Sequence, residues 1–464
     1  MSLGPWIGTL LPFGSNGGVR LPASAEHAEE GKALLWDVEK LAGARCAPLG
    51  KLGNALSSCA PPGVDMQRVV SRSLDVFKGV LVVFMTYAHV DLCLLNPALT
   101  VNPDAAPHIV GNVASGLCFL GFMLAYGFGC DGAYLADWKV RPTSERLARV
   151  ARSALLPVCA SWICSCAWGF MCFKFPMDEN TLLAILKLRI AVGNGPDFLL
   201  CFTICLLAMY PLRHLVNQEL SAPSWWRRSA CAAMMLLVPL GFTSFAIQDC
   251  TGNRIYLNYF LECNAREAWA PNLAALPHLF YFNLGVLLSR GVRSLHIAAK
   301  AGRLDISVGK AAGAYVVLSA ALLLLSVPLM SVWNWNYGNL TVETKWGAVN
   351  RGFSNGPSTL WLVGNLFCLD VLFAACAAAH LLSKRSDHAL LWPFRFLLHE
   401  LEHLGANILI YLVVADICLA GLYRGLQGQF PLQMEGCGTV TLGIILVTRF
   451  IHYLGASSRP TDRG

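Results

Sequence analysis

The sequence predicts an all-α, polytopic membrane protein of about ten transmembrane helices, with both termini in the cytosol. Of its 464 residues, 55% are hydrophobic and only 14% are charged, whereas about a quarter of the residues of a soluble protein are charged. The mean hydropathy is +0.52. Apolar windows of membrane-spanning length recur along the chain, and the loops between them differ in their content of basic residues.

These windows define the organisation of the chain. We expect residues 1–65, which are rich in Gly, Pro, Ala and Ser, to form a largely disordered cytosolic segment. Residues 66–456 are predicted to form one transmembrane domain, followed by a cytosolic tail at 457–464. The ten predicted spans are 74–96, 108–128, 153–173, 196–212, 229–248, 271–289, 311–333, 357–382, 404–423 and 435–455.

Loop charges predict the orientation. Four alternate loops, 129–152, 213–228, 290–310 and 383–403, contain 16 Lys and Arg residues, and the other five loops contain about half as many. Because basic loops remain on the cytosolic side, these four loops and both termini are assigned to the cytosol. The net charge of +7 is scattered between apolar runs, so the sequence gives no indication of nucleic-acid binding.

Most of the 18 cysteines lie inside apolar segments, where cysteine behaves as a small hydrophobic residue. No CxxC pair or Cys/His cluster has metal-ligand spacing, so no metal is predicted. Cys250 and Cys263 share one hydrophilic loop. They are expected to form a disulfide if that loop faces an oxidising compartment.

The first span carries charged side chains that are costly in a bilayer. Lys78 and His89 are eleven residues apart, which on an α-helix places them within about 20° of each other and about 16 Å apart along the axis. Asp75, three residues before Lys78, belongs to the same stripe. Snorkelling to the interface explains Lys78 without a function, but His89 is too deep for it. The stripe is therefore predicted to face the bundle interior or a wet cavity.

These residues resemble the opening motif of the acyltransferase-3 family of membrane proteins, in which Arg or Lys is followed by ten residues and then His. The motif reads SLDVFKGVLVVFMTYAH here. Three later segments are similar to further family motifs: GLCFLGFMLAYG in the second span, RLARVARSALLPVCASW entering the third, and LEHLGANILIYLVVAD near the end. The chain departs from the family at Leu120, where the family has Ser, and the last segment lacks the family's terminal His.

The resemblance implies an enzyme that moves an acyl group, usually acetyl, from cytosolic acyl-CoA to a hydroxyl of a carbohydrate or similar acceptor. His89 is then the candidate general base, since His titrates near neutral pH. Lys78 would contact the donor, with Asp75 holding it in place. CoA phosphates need cationic partners, for which Arg146, Arg149 and Arg152 are the candidates. Anchoring of the loop by the positive-inside rule explains these arginines equally well.

Further ionisable residues fall within or beside predicted spans and form a second rank of candidates: Asp370, Asp416, His278, Arg449 and Asp91. Asp370 or Asp416 is expected to orient His89 or to accept a hydrogen bond from the acceptor. Arg449 is expected to neutralise one of these two aspartates, and Asp91 to line an outward cavity.

Two other functions remain open at this point. In a proton-coupled secondary transporter, Asp75, His89, Asp370 and Asp416 would form a relay. However, the first five spans do not repeat the charge placement of the second five, whereas transporters are commonly built from internal repeats. A catalytically inactive relative is the other alternative, suggested by Lys78 in place of the more frequent Arg and by the missing Ser in the second span.

Overall fold

The computed structural model describes residues 66–94, 106–136, 143–193, 195–266, 273–300, 341–344, 347–350, 359–385, 392–426 and 434–457, together with Tyr315, Val317 and Ser319. Most of the described residues are helical, which confirms the predicted helical class. The predictions for residues 1–65, for most of the span at 311–333 and for nearly all of the C-terminal tail lie outside the described residues.

Eleven helices are numbered here in chain order. They are α1 (Met66–Leu94), α2 (Ala106–Cys130), α3 (Thr143–Met171), α4 (Glu179–Leu186), α5 (Pro196–Leu220), α6 (Trp225–Phe242), α7 (Ala275–Lys300), α8 (Thr359–Arg385), α9 (Trp392–Ala406), α10 (Ile408–Leu426) and α11 (Met434–Ser457). α2 continues as a π-helical turn, Asp131–Leu135. Two small sheets pair β1 (Ala246–Cys250) with β2 (Glu262–Arg266) in parallel and β3 (Thr341–Thr344) with β4 (Gly347–Asn350) in antiparallel fashion.

Helix α1 lies at the centre of the described bundle. It packs against α2, α8, α9, α10 and α11. Its side chains Phe77, Leu81 and Met85 are almost completely buried in the main hydrophobic core. The helix that carries the predicted site is therefore also the one around which its neighbours are arranged.

Close helix crossings at glycines bring backbones together. At the crossing of α1 and α9, Gly79 lies against the carbonyl of Leu401, and Gly405 lies against the carbonyl of Asp75. Gly127 of α2 similarly lies against the carbonyl of Phe282 on α7. Small residues permit such close approach in membrane helices, so Gly79 and Gly405 determine how α9 packs on α1, and Gly127 does the same for α2 and α7.

Adding a methyl group at these crossings is expected to destabilise the fold. In Gly405→Ala and Gly127→Ala the new Cβ would overlap backbone carbonyls that cannot move independently, with an expected loss of about 1–3 kcal/mol for overpacking. Gly438→Ala is the matched control, because nothing lies within 4 Å of its Cβ position. Unfolding of the purified variants in a denaturing detergent measures the difference. Equal stability of Gly405→Ala and Gly438→Ala would contradict the close crossing.

Five of the described helices are long and apolar enough to cross a membrane: Leu117–Leu135, Thr143–Met171, Phe198–Leu220, Ile408–Gly425 and Gly436–Leu454. They coincide with the predicted spans at 108–128, 153–173, 196–212, 404–423 and 435–455. The predicted spans at 74–96, 271–289 and 357–382 fall largely on α1, α7 and α8, which are long helices outside this set of five.

The predicted span at 229–248 ends earlier than expected. Helix α6 stops at Phe242, and residues from Ala246 onward form strand β1. β1 pairs with β2, and the Cys250–Cys263 disulfide joins the two strands with Cα atoms 6.0 Å apart. The apolar window overestimates the helix because the apolar residues Ala246 and Ile247 extend it, although both belong to strand β1.

The disulfide lies in a small unit at residues 246–266, which we call the cap. Hydrogen bonds attach the cap to the helical bundle. The hydroxyl of Tyr256 donates to the carbonyl of Lys187 at 3.0 Å, and that of Tyr259 donates to the carbonyl of Leu188 at 2.6 Å. Tyr259 packs in the same cluster as Ala191. The cap therefore covers the chain segment that leads into α5.

Candidate functional site

The polar stripe on α1 runs through the packed interior. Lys78 Nζ lies 2.7 Å from Asp75 Oδ1, so the two charges at one end of the stripe neutralise each other. One and two helical turns further, Val82 and Met85 are 0% and 2% exposed. His89, on the next turn, is half-buried between the buried Ala88 and Val90. A paired charge and an imidazole thus lie on one face, separated by tightly packed apolar residues.

Helix α9 covers the charged end of this stripe. Besides the Gly79 and Gly405 contacts, Arg72 forms an ion pair with Glu402. α9 ends at Ala406, and α10 begins at Ile408. The intervening Asn407 donates from its side-chain amide to the carbonyl of His403 at 2.9 Å. The break between α9 and α10 therefore lies beside the Asp75–Lys78 pair.

A cluster of four ionisable side chains, which we call the Arg449 cluster, joins α9 to α11. It consists of Glu400, His403, Arg449 and His452. The Arg449 guanidinium binds both oxygens of Glu400, with distances of 3.0 Å and 3.3 Å, and its Nη1 lies 2.5 Å from His403 Nε2. The rings of His403 and His452 are 4.9 Å apart, edge to face.

The protonation of His403 follows from these contacts. Because Nε2 accepts the hydrogen bond from the arginine, the ring is neutral and its proton is on Nδ1. Burial, followed by the charge of Arg449, lowers the pKa of His403 to about 4, in agreement with a neutral ring. Nδ1 is buried and has no hydrogen-bond partner in the described part of the chain.

The sequence predicted a different partner for Arg449, and it did not predict that Glu400, His403 and His452 belong to this cluster. Arg449 was expected to neutralise Asp370 or Asp416, but it pairs with Glu400. The signal for Glu400 and His403 is the stretch HELEH at 399–403, which has the H-E-x-x-H spacing of zinc sites. Glu400 and His403 instead contact the guanidinium. Among the described residues, no group of three or more His, Cys, Asp or Glu side chains is arranged to hold a metal ion.

The second-rank candidates are distributed over separate places. Asp370 on α8 accepts a hydrogen bond from the hydroxyl of Tyr315. Asp416 on α10 is buried beside Gly193 and Gly195. His278 on α7 is buried, with Nδ1 2.6 Å from the carbonyl of Ala274. Asp91 belongs to α1, but its side chain lies outside the described residues.

The three arginines of the third helix lie at its beginning. Arg149 is exposed and pairs with Glu145 at 2.8 Å, Arg152 is exposed, and Arg146 is half-buried. α3 packs mainly against α5 and α10, whereas the charged end of the stripe packs against α9. Glu400 and His403 of the Arg449 cluster are therefore on the helix that packs against the charged end of the stripe.

The fold is mostly helical, and its five long apolar helices are consistent with a membrane protein that has a charged and histidine-bearing helix in its interior. Comparison with known proteins adds no narrower class, because no protein-family model matches the chain and no curated protein matches it.

Proposed function

We propose that the protein is a membrane-embedded acyltransferase that moves an acyl group, most simply acetyl, from acyl-CoA to a hydroxyl of a carbohydrate or similar acceptor. The observation that carries this proposal is the α1 stripe, in which the Lys78–Asp75 pair, at 2.7 Å, and half-buried His89 flank the buried Val82 and Met85. This order of residues is the one in which the sequence resembles the acyltransferase-3 family.

The proposal includes an orientation in the membrane. About ten spans, with both termini in the cytosol, place the Asp75–Lys78 end of α1 at the cytosolic face, where acyl-CoA is found. His89 is then deeper in the membrane. The Cys250–Cys263 bridge supports this orientation, because disulfides persist on the oxidising side of a membrane. Its cap covers the Leu188 segment, which leads to Val192, a neighbour of Val90 in one hydrophobic cluster.

The chemistry assigned to His89 is general base catalysis. His89 takes the proton of the acceptor hydroxyl while its oxygen attacks the thioester carbonyl. A C–O bond forms, the C–S bond breaks, and the CoA thiolate leaves and is protonated by solvent or by the imidazolium. The products are the O-acyl ester and free CoA, so atoms and charges balance. Lys78 contributes its charge on the donor side, oriented by Asp75.

The direct test is transfer of label. Full-length protein in phosphatidylcholine nanodiscs is incubated with radiolabelled acetyl-CoA and a panel of sugars and polyols, and O-acetyl products are separated from free CoA. We expect acyl-CoA-dependent formation of an ester. Absence of ester from every acceptor, together with acyl-CoA-independent uptake of a solute into proteoliposomes, would favour the transporter. Binding of acyl-CoA without transfer would favour the inactive relative.

A further inference from the structure

The Arg449 cluster has more hydrogen-bond donors than its own members use. A guanidinium has five N–H donors, and the contacts to Glu400 and His403 occupy three of them. His403 adds its Nδ1–H, which is buried and without a partner in the described part of the chain. A buried donor that lacks an acceptor destabilises the fold, because its lost hydrogen bond to water is not replaced. The arrangement therefore favours a bound group rich in acceptor oxygens.

A further unused donor, the hydroxyl of Tyr411, lies next to this cluster. Tyr411, one turn into α10, is 1% exposed, and its ring is 6.4 Å from that of His403. Its hydroxyl is also buried without a hydrogen-bond partner among the described residues. Tyr411 and His403 lie on opposite sides of the break at Asn407. Irregular backbone at a helix break in a membrane protein is tolerated where it lines a cavity or is buried in protein.

The cluster is also partly exposed to solvent, and the charges of Arg449 and Glu400 cancel. The side chain of Arg449 is 34% exposed and that of Glu400 is 27% exposed. Glu400 is the one carboxylate that contacts Arg449 in the described part of the chain, and it would repel an approaching anion. The contacts of Arg449 with Glu400 and His403 leave two guanidinium N–H donors unused. These two donors add to the Nδ1–H of His403 and the hydroxyl of Tyr411. Arginine binds phosphate in this way through several N–H donors at once.

We propose that the Arg449 cluster, with Tyr411, is a binding site for a phosphate group. The location of the cluster indicates which molecule would carry this phosphate group. The turn of α9 that carries Glu400 and His403 also carries Leu401, whose carbonyl lies against Gly79, the residue after Lys78. If the proposed acyltransferase function holds, a phosphate of acyl-CoA bound here would direct the rest of the donor toward the stripe. The headgroup phosphate of an anionic lipid is the other source of the same chemistry.

The test measures binding to the full-length protein in phosphatidylcholine nanodiscs by calorimetry. The probes are CoA, pantetheine, which lacks phosphate, and inorganic pyrophosphate. In the Glu400→Gln/Arg449→Gln double variant, which leaves no unpaired buried charge, we expect the Kd for CoA and for pyrophosphate to rise at least about tenfold, as for loss of charge-assisted hydrogen bonds. Tyr411→Phe removes a single hydroxyl and is expected to raise both values severalfold. Pantetheine binding should be unchanged.

Two controls make the outcomes decisive. Glu219→Gln/Arg227→Gln removes a similar pair, which is joined at 3.0 Å on α5 and α6, and should leave Kd unchanged. Arg149→Gln tests the alternative arginine group. Loss of CoA binding in Arg149→Gln, with wild-type binding in the Arg449 double variant, would overturn the proposal. Pyrophosphate binding that depends on Arg449, without CoA binding, would support the phosphate site and reject the acyl-CoA donor. If phosphatidylglycerol in the nanodisc competes with pyrophosphate while CoA does not, the lipid is the source.

Discussion

The variant His89→Ala is expected to lose acyl transfer by about 10²–10⁴-fold, the contribution typical of a general base. Acyl-CoA binding should remain close to wild type, because the donor contacts are assigned to the opposite end of the stripe. The imidazole lies between buried Ala88 and Val90, and truncation to alanine keeps the helix-forming backbone of α1. The expected loss is therefore in kcat rather than in folding.

Radiolabel transfer and calorimetric CoA binding on the same nanodisc preparation measure the two effects. His214→Ala is the matched control, since His214 is an exposed histidine on α5 and should leave both quantities unchanged. Full transfer activity in His89→Ala would show that another group takes the hydroxyl proton. The half-buried Lys78 and the Tyr315–Asp370 pair would then be the next groups to examine.

The largest expected effect on stability belongs to Arg290→Met. Asp131, in the π-helical turn after α2, is 1% exposed, and Arg290 Nε donates to its Oδ1 at 2.9 Å. Arg290 also donates to Asn217 Oδ1 at 2.6 Å, and Asn217 donates to the carbonyl of Leu135 at 2.9 Å. Removal of the arginine leaves a buried carboxylate without its cation, which is expected to cost about 3–5 kcal/mol.

Detergent-induced unfolding of Arg290→Met, of Asp131→Asn and of the double variant measures this coupling as a double-mutant cycle. The double variant should recover part of the loss, because it leaves no unpaired charge. Arg227→Met, which breaks the more exposed pair with Glu219, should change stability much less. Additive losses in the cycle would mean that Asp131 and Arg290 act independently, against the geometry of the network.

Apolar windows located most of the helices because burial in lipid requires continuous apolar length. The same rule gave the wrong end for the window at 229–248, where strand β1 takes the last residues. Local periodicity also placed Asp75, Lys78 and His89 on one face of α1. It could not identify the partner of Arg449, because Glu400 is 49 residues away in the chain and the sequence offered Asp370 and Asp416 as plausible partners. The contact depends on how α9 and α11 are seated on α1.

The crossing at Gly79 and Gly405 also could not be predicted from the sequence. Glycine is common in membrane helices, so the sequence does not distinguish these two from Gly438, which touches nothing near its Cβ position. The crossing nevertheless holds Glu400 and His403 beside the Lys78 turn. The position of the proposed phosphate site relative to the α1 stripe is therefore a consequence of the backbone packing at Gly79 and Gly405.

The Cys250–Cys263 disulfide makes the oxidation state of the cap a property that can be measured. The other described cysteines, including Cys130 near the Asp131 turn and Cys376 on α8, are free thiols. Disulfides form and persist in an oxidising environment, so in the orientation proposed above the Cys250–Cys263 cap would mature on the oxidising side of the membrane. Production in a host that keeps both faces reducing would therefore yield a protein with a loosened cap, even if every helix inserted correctly. The oxidation state of the Cys250–Cys263 pair would thus report whether the cap of a given preparation matured in an oxidising compartment.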